Sequence, residues 1–508
     1  MTMGTGNRSI QMLAVDFGAS SGRTMLGSFD GSRLALEEVH RFANEPVQLG
    51  GTLHWDFLRL FYELKRGIHA HRRQAGQDPA SIAVDTWGVD YGLVNGSGEL
   101  LGNPVHYRDP RNEAAMKELL ETAGEEELYR RSGVIPASFN TVFQLYAARE
   151  RLREAAGAGS GAQLLLTPDL FRYYLSGDRT TEYTIASTTG LLRAGSRSWD
   201  NELLAKLGIP DSLLGEVVLP GTAGGLLRAE IADELGTGRF KVIAAASHDT
   251  ASAVLSLPSQ EAGSVYISCG TWSLMGVETN RPVIDGRSLT WGFTNEGAAD
   301  GGIRLQKNIM GLWLLQECKR QWELEGVSIG YAEMQELAAA ESGRISYIDT
   351  EDPVFLPPGR MPQRIAEYCR RTGQPVPEGR GALVRCVVES LAMKFRQTLE
   401  ETEALTGRKA GAVHMVGGGI HNKLLCRLTA DICGRTVVAG PAEATAIGNL
   451  MMQALAHGEV SGTAEIRQVV RDSFPPDIYS PSGGEGWDAA YAKYREVCGI
   501  DESNHTMD

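Results

Sequence analysis

One pattern, used twice, restricts what this chain can fold into. Residues 11–17 and 23–29 are apolar-rich runs separated by small residues, which reads as strand, turn, strand. Residues 263–268 and 272–278 repeat the arrangement around Ser268-Cys269-Gly270-Thr271. Mixed strands and helices follow each copy. In the first half, 34–42 adds a strand and 55–74 an amphipathic helix. A strand over 81–85, helices over 112–131 and 142–155, and a buried strand over 241–247 entering a helix at 250–256 complete it. The second half predicts helices over 308–323 and 380–405, then a strand over 412–416 and the turn Gly417-Gly418-Gly419. A helix over 422–433, a strand over 436–439 and a helix over 443–457 follow. Pro258 and Gly263 punctuate the chain near 257–262, where the halves divide. The pattern is that of a duplicated α/β domain, with small-molecule ligands expected in the cleft between the halves.

A length of 508 residues fits two large domains, set here at 10–257 and 262–475, with an extension over 476–508. An apolar content of 42% and a charged content of 22% are ordinary for a globular chain. The net charge of −14 argues against nucleic acid or an anionic membrane as partner, but not against a phosphate ligand. No run approaches the roughly 18 apolar residues of a membrane span. The stretch 241–257 is broken by His248-Asp249. The first apolar run, 12–15, is short and meets Asp16, so no secretory leader is expected. All seven cysteines lie beyond residue 268 without a Cys-x-x-Cys pair, which predicts reduced thiols in the cytoplasm.

Five segments carry candidate chemistry. In Asp16-Phe17-Gly18-Ala19-Ser20-Ser21-Gly22-Arg23, backbone N–H groups of a tight turn can cradle an anion, with Gly18 and Gly22 permitting close approach. A plain hairpin turn would use the same small residues. The segment is no Walker turn, since Gly-Lys-Ser/Thr is missing and a strand follows, and Gly157-Ala158-Gly159-Ser160-Gly161 is a flexible loop, no dinucleotide fingerprint. In Ser247-His248-Asp249-Thr250, Asp249 stands where a carboxylate could orient a hydroxyl for phosphoryl transfer, or simply cap a helix. Gly417-Gly418-Gly419 permits contact with a flat base or a phosphate, or is an ordinary strand-to-helix turn. Asp85-Thr86-Trp87-Gly88-Val89-Asp90 offers polar groups to a polyhydroxylated ligand, although Trp87 suits a core equally well. The stretch from Lys307 to Gln316 reads as a packed helix with Asn308 and Gln316 two turns apart on roughly one face.

Together and in this order, these segments resemble the FGGY family of carbohydrate kinases, from about Leu13 to about Gly458. The resemblance implies an actin-like fold of two duplicated ribonuclease H-like domains with the active site in the cleft between them. It implies transfer of the ATP γ-phosphoryl group, with Mg2+, to the 1-hydroxyl of L-rhamnulose; L-fuculose and L-xylulose are the alternative acceptors. By the same resemblance Asp249 is the general base, and Gly88, His248, Asp249, Thr250 and Asn308 contact the sugar. Ala19, Ser20, Ser21, Gly22, Arg23, Thr271, Gln316 and Gly418 contact ATP, and Asp16 attends the metal, directly or through water. Tyr107-Arg108-Asp109-Pro110-Arg111 departs from the family's Trp-x-Asp-x-Arg element at its first residue. Cys369 and Cys386 match a pair that is bridged in some relatives, but a reducing compartment would keep them apart. Cys433 has Thr429 where a second pair would need a partner. A monomer or small homo-oligomer is expected. The rival from another class is an actin-like ATP-binding protein that phosphorylates no sugar.

Overall fold

The structure is a computed structural model, and it describes residues 9–500 except 158, 260, 262, 484 and 485. Ala158 of the glycine-rich loop, Ala262 at the expected boundary and the last eight residues of the expected C-terminal extension therefore lie outside the described residues. The chain divides into two compact units. One comprises Met1–Gln260, Glu278–Leu305 and Glu443–Phe474; the other comprises Glu261–Val277, Gln306–Ala442 and Pro475–Asp508.

The first unit is built on a six-stranded sheet with the order Thr222–Leu226, Lys241–Ala244, Ser81–Thr86, Ile10–Phe17, Ser21–Phe29, Leu34–Ala43. Ile10–Phe17 runs parallel to Ser81–Thr86, which in turn runs parallel to Lys241–Ala244; the outer pairings are antiparallel. Its central strand is apolar on both faces because both are covered. Leu13, Val15 and Phe17 pack with Phe57, Leu60, Leu64 and Ile68 of the helix Phe57–Ala75. Met12 and Ala14 pack with Ile447, Leu450 and Met451 of the helix Ala444–Ala456. Gly27 is small because a Cβ there would meet Leu450 at 2.7 Å.

In the second unit Val265–Cys269 repeats the role of Ile10–Phe17. It pairs antiparallel with Trp272–Thr279 and parallel with Ala412–Val416, which pairs parallel with Thr436–Ala439. Asp477–Tyr479 closes that edge antiparallel, as Thr222–Leu226 does in the first sheet. The 28-residue helix Gly379–Thr406 supplies Val387, Leu391 and Phe395 to the core beneath Ile267, Val413 and Met415. The duplication expected from the sequence is thus present in the strand order, and the second sheet carries a seventh strand, Phe293–Gly297, at its far edge.

Four local expectations need correction. Residues 308–323 are not one helix: Ile303–Met310 is a strand and the helix is Trp313–Leu324. The break falls at Gly311, where a Cβ would meet the Gly270 carbonyl at 2.8 Å and Ser273 Oγ at 2.6 Å. Asn308 and Gln316 therefore share no helix face. The region 112–131 splits at Gly124 (φ 80°) into Arg111–Ala123 and Glu125–Ser132, and 142–155 splits into Thr141–Ala147 and Arg149–Ala155. The strand expected over 241–247 ends at Ala244.

Candidate active site

The parallel strands of the first sheet deliver acidic residues to one edge. Asp16 and Asp85 are register partners at the carboxyl ends of neighbouring strands. Thr86 N–H donates to the Ser247 carbonyl at 2.9 Å, which ties the approach to Asp249 to the same edge. The carboxyl ends of parallel strands are where open α/β sheets place ligands.

Asp16 is buried and accepts from Arg23 Nε at 3.0 Å and Nη2 at 2.9 Å, and Arg23 Nη1 also pairs with Glu443. The pairing follows from the hairpin register, in which Asp16 faces Arg23. Asp85 is fully buried and accepts from Asn449 Nδ2 at 2.5 Å. Burial first, and then the neighbouring Asp16 charge, push its carboxyl well above the ordinary carboxylate range.

The hairpin turn is closed by Gly18 N–H donating to the Ser21 carbonyl at 2.9 Å, and Asn44 braces it from outside. Ala19 and Ser20 are exposed at its tip. Gly22, in contrast, is buried against Phe42, whose ring a Cβ would meet at 2.3 Å. Its smallness serves core packing; the accessible N–H groups belong to the tip.

Asp249 is the first residue of the helix Asp249–Leu255, and the capping position belongs to His248, without a side-chain cap bond. Asp249 Oδ1 accepts from Thr250 N–H at 2.5 Å and Thr250 Oγ1 at 3.1 Å. Among the described residues Oδ2 takes no hydrogen bond, and 33% of the side chain reaches solvent. Its surroundings are nonetheless close-packed. Burial is the largest influence and pushes the carboxyl above its ordinary value, with His248 opposing and Asp16 adding to the rise.

The segment leading into Asp249 is fixed by a residue that spacing did not single out. Glu182, fully buried, accepts from Ser247 N–H at 3.0 Å and Thr184 N–H at 2.7 Å, while Thr184 Oγ1 accepts from His248 N–H at 3.1 Å. Burial pushes the Glu182 carboxyl up. Nothing in the local sequence marks Glu182, since the contact spans 65 positions.

In the 85–90 segment, Gly88 lies against Thr188, whose Oγ1 accepts from Val89 N–H at 3.1 Å, and Val89 has φ 72°. Trp87 and Asp90 are core residues. Asp90 accepts from Trp87 Nε1 at 2.9 Å, Trp55 Nε1 at 2.5 Å and Gln144 Nε2 at 3.0 Å. Burial outweighs these donors and raises its pKa to about 7. Tyr107 extends the wall: Trp87, Trp55, His106 and Tyr107 follow one another with ring centroids 4.0, 4.1 and 4.5 Å apart.

In the second unit Thr271 Oγ1 donates to Gln316 Oε1 at 3.1 Å, because Leu312 and Trp313 N–H groups anchor the helix start to Gly270 and Thr271. Of the three consecutive glycines, 417 and 419 are demanded by Cys269, whose atoms a Cβ would meet at 3.0 and 2.2 Å. Gly418 alone is exposed with nothing within 4 Å. Asn308 is exposed on its strand, whereas its neighbour Lys307 is buried against Glu401 at 2.9 Å. All seven cysteines, including Cys369 and Cys386, are free thiols.

Among the described residues no group of three or more His, Cys, Asp or Glu could hold a metal ion by itself. Mg2+ commonly takes only one or two carboxylates and completes its shell with water and phosphate. Asp16, with Oδ2 engaged by Arg23, fits that limited role. No helix among the described residues is long and apolar enough to cross a membrane.

Two duplicated sheet domains, with carboxylates at the strand ends of the first and neutral small-residue turns in the second, define a kinase of the actin-like ATPase fold. The chain belongs to the FGGY family of carbohydrate kinases: residues 11–256 match the family's N-terminal domain and residues 265–457 its C-terminal domain. It is 44% identical over 485 residues to a rhamnulokinase of Bacteroides thetaiotaomicron, covering 95% of this chain and 98% of that one. It is 43% identical over 471 residues to a rhamnulokinase of Enterococcus faecalis, covering 92% and 93%. Among solved structures, glycerol kinase from Plasmodium falciparum with ADP matches with a TM-score of 0.79 at 14% identity, covering 98% of this chain and 99% of that one. Xylulose kinase from Rhodospirillum rubrum matches at 0.77 and 19%, covering 98% and 100%; at such identities the likeness speaks for the fold alone. The chain is an ATP-dependent sugar kinase, which sets aside the actin-like protein without sugar chemistry.

Proposed function

We propose that this chain transfers the γ-phosphoryl group of ATP, bound with Mg2+, to the 1-hydroxyl of L-rhamnulose, giving L-rhamnulose 1-phosphate and ADP in the cytoplasm. The acceptor rests on the rhamnulokinase names of relatives that share about two-fifths of its residues over nearly the whole chain. The chemistry rests chiefly on one observation: Asp249 is a part-exposed carboxylate whose Oδ1 is held by Thr250 while Oδ2 remains open.

Phosphoryl transfer passes through a loose transition state, so the protein's work is orientation and charge stabilisation. Asp249 orients the sugar hydroxyl and takes its proton as the bond to phosphorus forms. Closely packed surroundings raise its proton affinity, which suits a base acting near neutral pH. Gly88, His248, Thr250 and Asn308 bind the sugar. The N–H groups and hydroxyls of the tip, Ala19–Ser21, cradle phosphate, with Arg23 supplying positive charge and Gly22 packing the turn on Phe42. Thr271, Gln316 and the open backbone at Gly418 take the nucleotide. Asp16, directly or through water, would hold the metal, which would supply charge neutralisation at the phosphates.

The decisive assay measures sugar phosphate formed from ATP with L-rhamnulose, L-fuculose and L-xylulose side by side. The highest kcat/KM is expected with L-rhamnulose. An equal or better rate with either other ketose would overturn that acceptor.

A further inference from the structure

His248 sits between its sequence neighbour Asp249 and a buried pair, Arg304 and Glu296, that the sequence did not connect to it. On one side, Arg304 Nη2 lies 2.9 Å from His248 Nδ1 and 3.0 Å from Glu296 Oε2. On the other, His248 Nε2 lies 3.4 Å from Asp249 Oδ1. Arg304 is wholly buried, and its Nε donates to the Gly297 carbonyl at 2.9 Å, so its guanidinium is held in one orientation. Glu296 and Arg304 flank the turn of a local hairpin in which Ala298 N–H donates to the Gly302 carbonyl at 3.0 Å.

Donor arithmetic then fixes the imidazole. A guanidinium has five N–H donors and no acceptor. Nη2 carries two hydrogens, enough to reach both Glu296 Oε2 and His248 Nδ1. A hydrogen on Nδ1 would point at a group 2.9 Å away that has nothing to accept it with. Glu296 Oε2 could also accept from Nδ1 but lies farther off, at 3.3 Å against 2.9 Å for Arg304 Nη2. Glu296 and Arg304 form a buried ion pair at 3.0 Å. Nδ1 is therefore the acceptor nitrogen, and in the neutral ring the proton sits on Nε2, facing Asp249.

We propose that Arg304 is a positioning residue that fixes His248 as its Nε2–H tautomer, so that the ring donates toward Asp249 and does not compete for the substrate proton. The proposal builds on Asp249 as the base. The 3.4 Å separation is long for a hydrogen bond, as catalytic contacts often are before substrate arrives. Without Arg304 either ring nitrogen can carry the proton, and an Nδ1–H ring would present a lone pair to the carboxylate.

The test uses the full-length enzyme labelled with 15N-histidine. Two-bond 1H–15N correlations identify the protonated nitrogen of each ring, and His248→Gln assigns the signal among the ten histidines. The wild-type ring is expected as Nε2–H. Arg304→Met should give a mixed or Nδ1–H signature, with turnover down about 10-fold or more and ATP affinity unchanged. Arg304→Lys, which still donates, should restore the Nε2–H signature and most of the turnover. An Nδ1–H ring in the wild type, or Arg304→Met with both tautomer and turnover unaltered, would overturn the proposal. Should Arg304→Met not fold, the wild-type spectrum and Arg304→Lys decide. Absence of any sugar phosphate from the wild type would instead count against the functional reading, since the tautomer is read without substrate.

Discussion

The two sheets share one strand plan but place opposite chemistry at their equivalent edges. In the first, the central parallel pair brings Asp16 into register with Asp85, and the adjoining hairpin adds Arg23. In the second, the equivalent pair brings Ser268 into register with Val416, and the hairpin adds Thr271. One edge is charged. Its counterpart is neutral and shaped by small residues, with Gly417 and Gly419 packed on Cys269 and Gly418 left open. A duplicated scaffold therefore need not duplicate function: the first edge suits acid–base and phosphate chemistry, the second a nucleotide held by backbone and shape.

The largest expected effect lies on the charged edge. Asp249→Asn should lower turnover about 100-fold or more while ATP binding survives, because only the proton acceptor is removed. Near-normal turnover would break the assignment of proton chemistry to this edge.

A second effect is a pH dependence of stability. Burial raises the Asp90 pKa to about 7, and that of Asp169 likewise. Above about pH 4 the unfolded chain releases these protons while the native state keeps them. Their contribution is thus full below about pH 4 and is lost as pH rises through about 7. Asp90→Asn should flatten the decline of stability over that window by on the order of 2 kcal/mol in denaturant titrations. A wild-type curve that rises across the window would contradict it.

On the neutral edge the glycines separate packing from function. Gly419→Ala, whose Cβ would meet Cys269 Sγ at 2.2 Å, should cost about 1–3 kcal/mol of stability. Gly418→Ala should leave stability within about 0.5 kcal/mol yet raise the KM for ATP. If the two behaved alike, Gly418 would have no special place. The smallest effect is expected from Thr271→Val, which loses one hydroxyl and should weaken ATP binding about 3- to 10-fold at unchanged stability.

Much of this was legible along the chain. The repeated strand-turn-strand and the five ordered segments rest on local chemistry: apolar period and turn residues. Where the reading failed, a tertiary contact had overridden local pattern. The run from Lys307 to Gln316 has an acceptable helical period, yet Gly311 must approach Gly270, so strand and helix part there. Gly22 belongs to a motif whose glycines suggested phosphate access, but Phe42 dictates its size.

By itself, the sequence determined the duplicated α/β plan, the family and the residues able to carry charge. Only the tertiary structure decided which of them act on one another. Glu182 holding Ser247, Asn449 reaching Asp85 and Arg304 facing His248 join positions 65, 364 and 56 residues apart. Such contacts leave no periodic trace, because hydrogen-bond partners are selected by distance in space and a sequence records only distance along the chain.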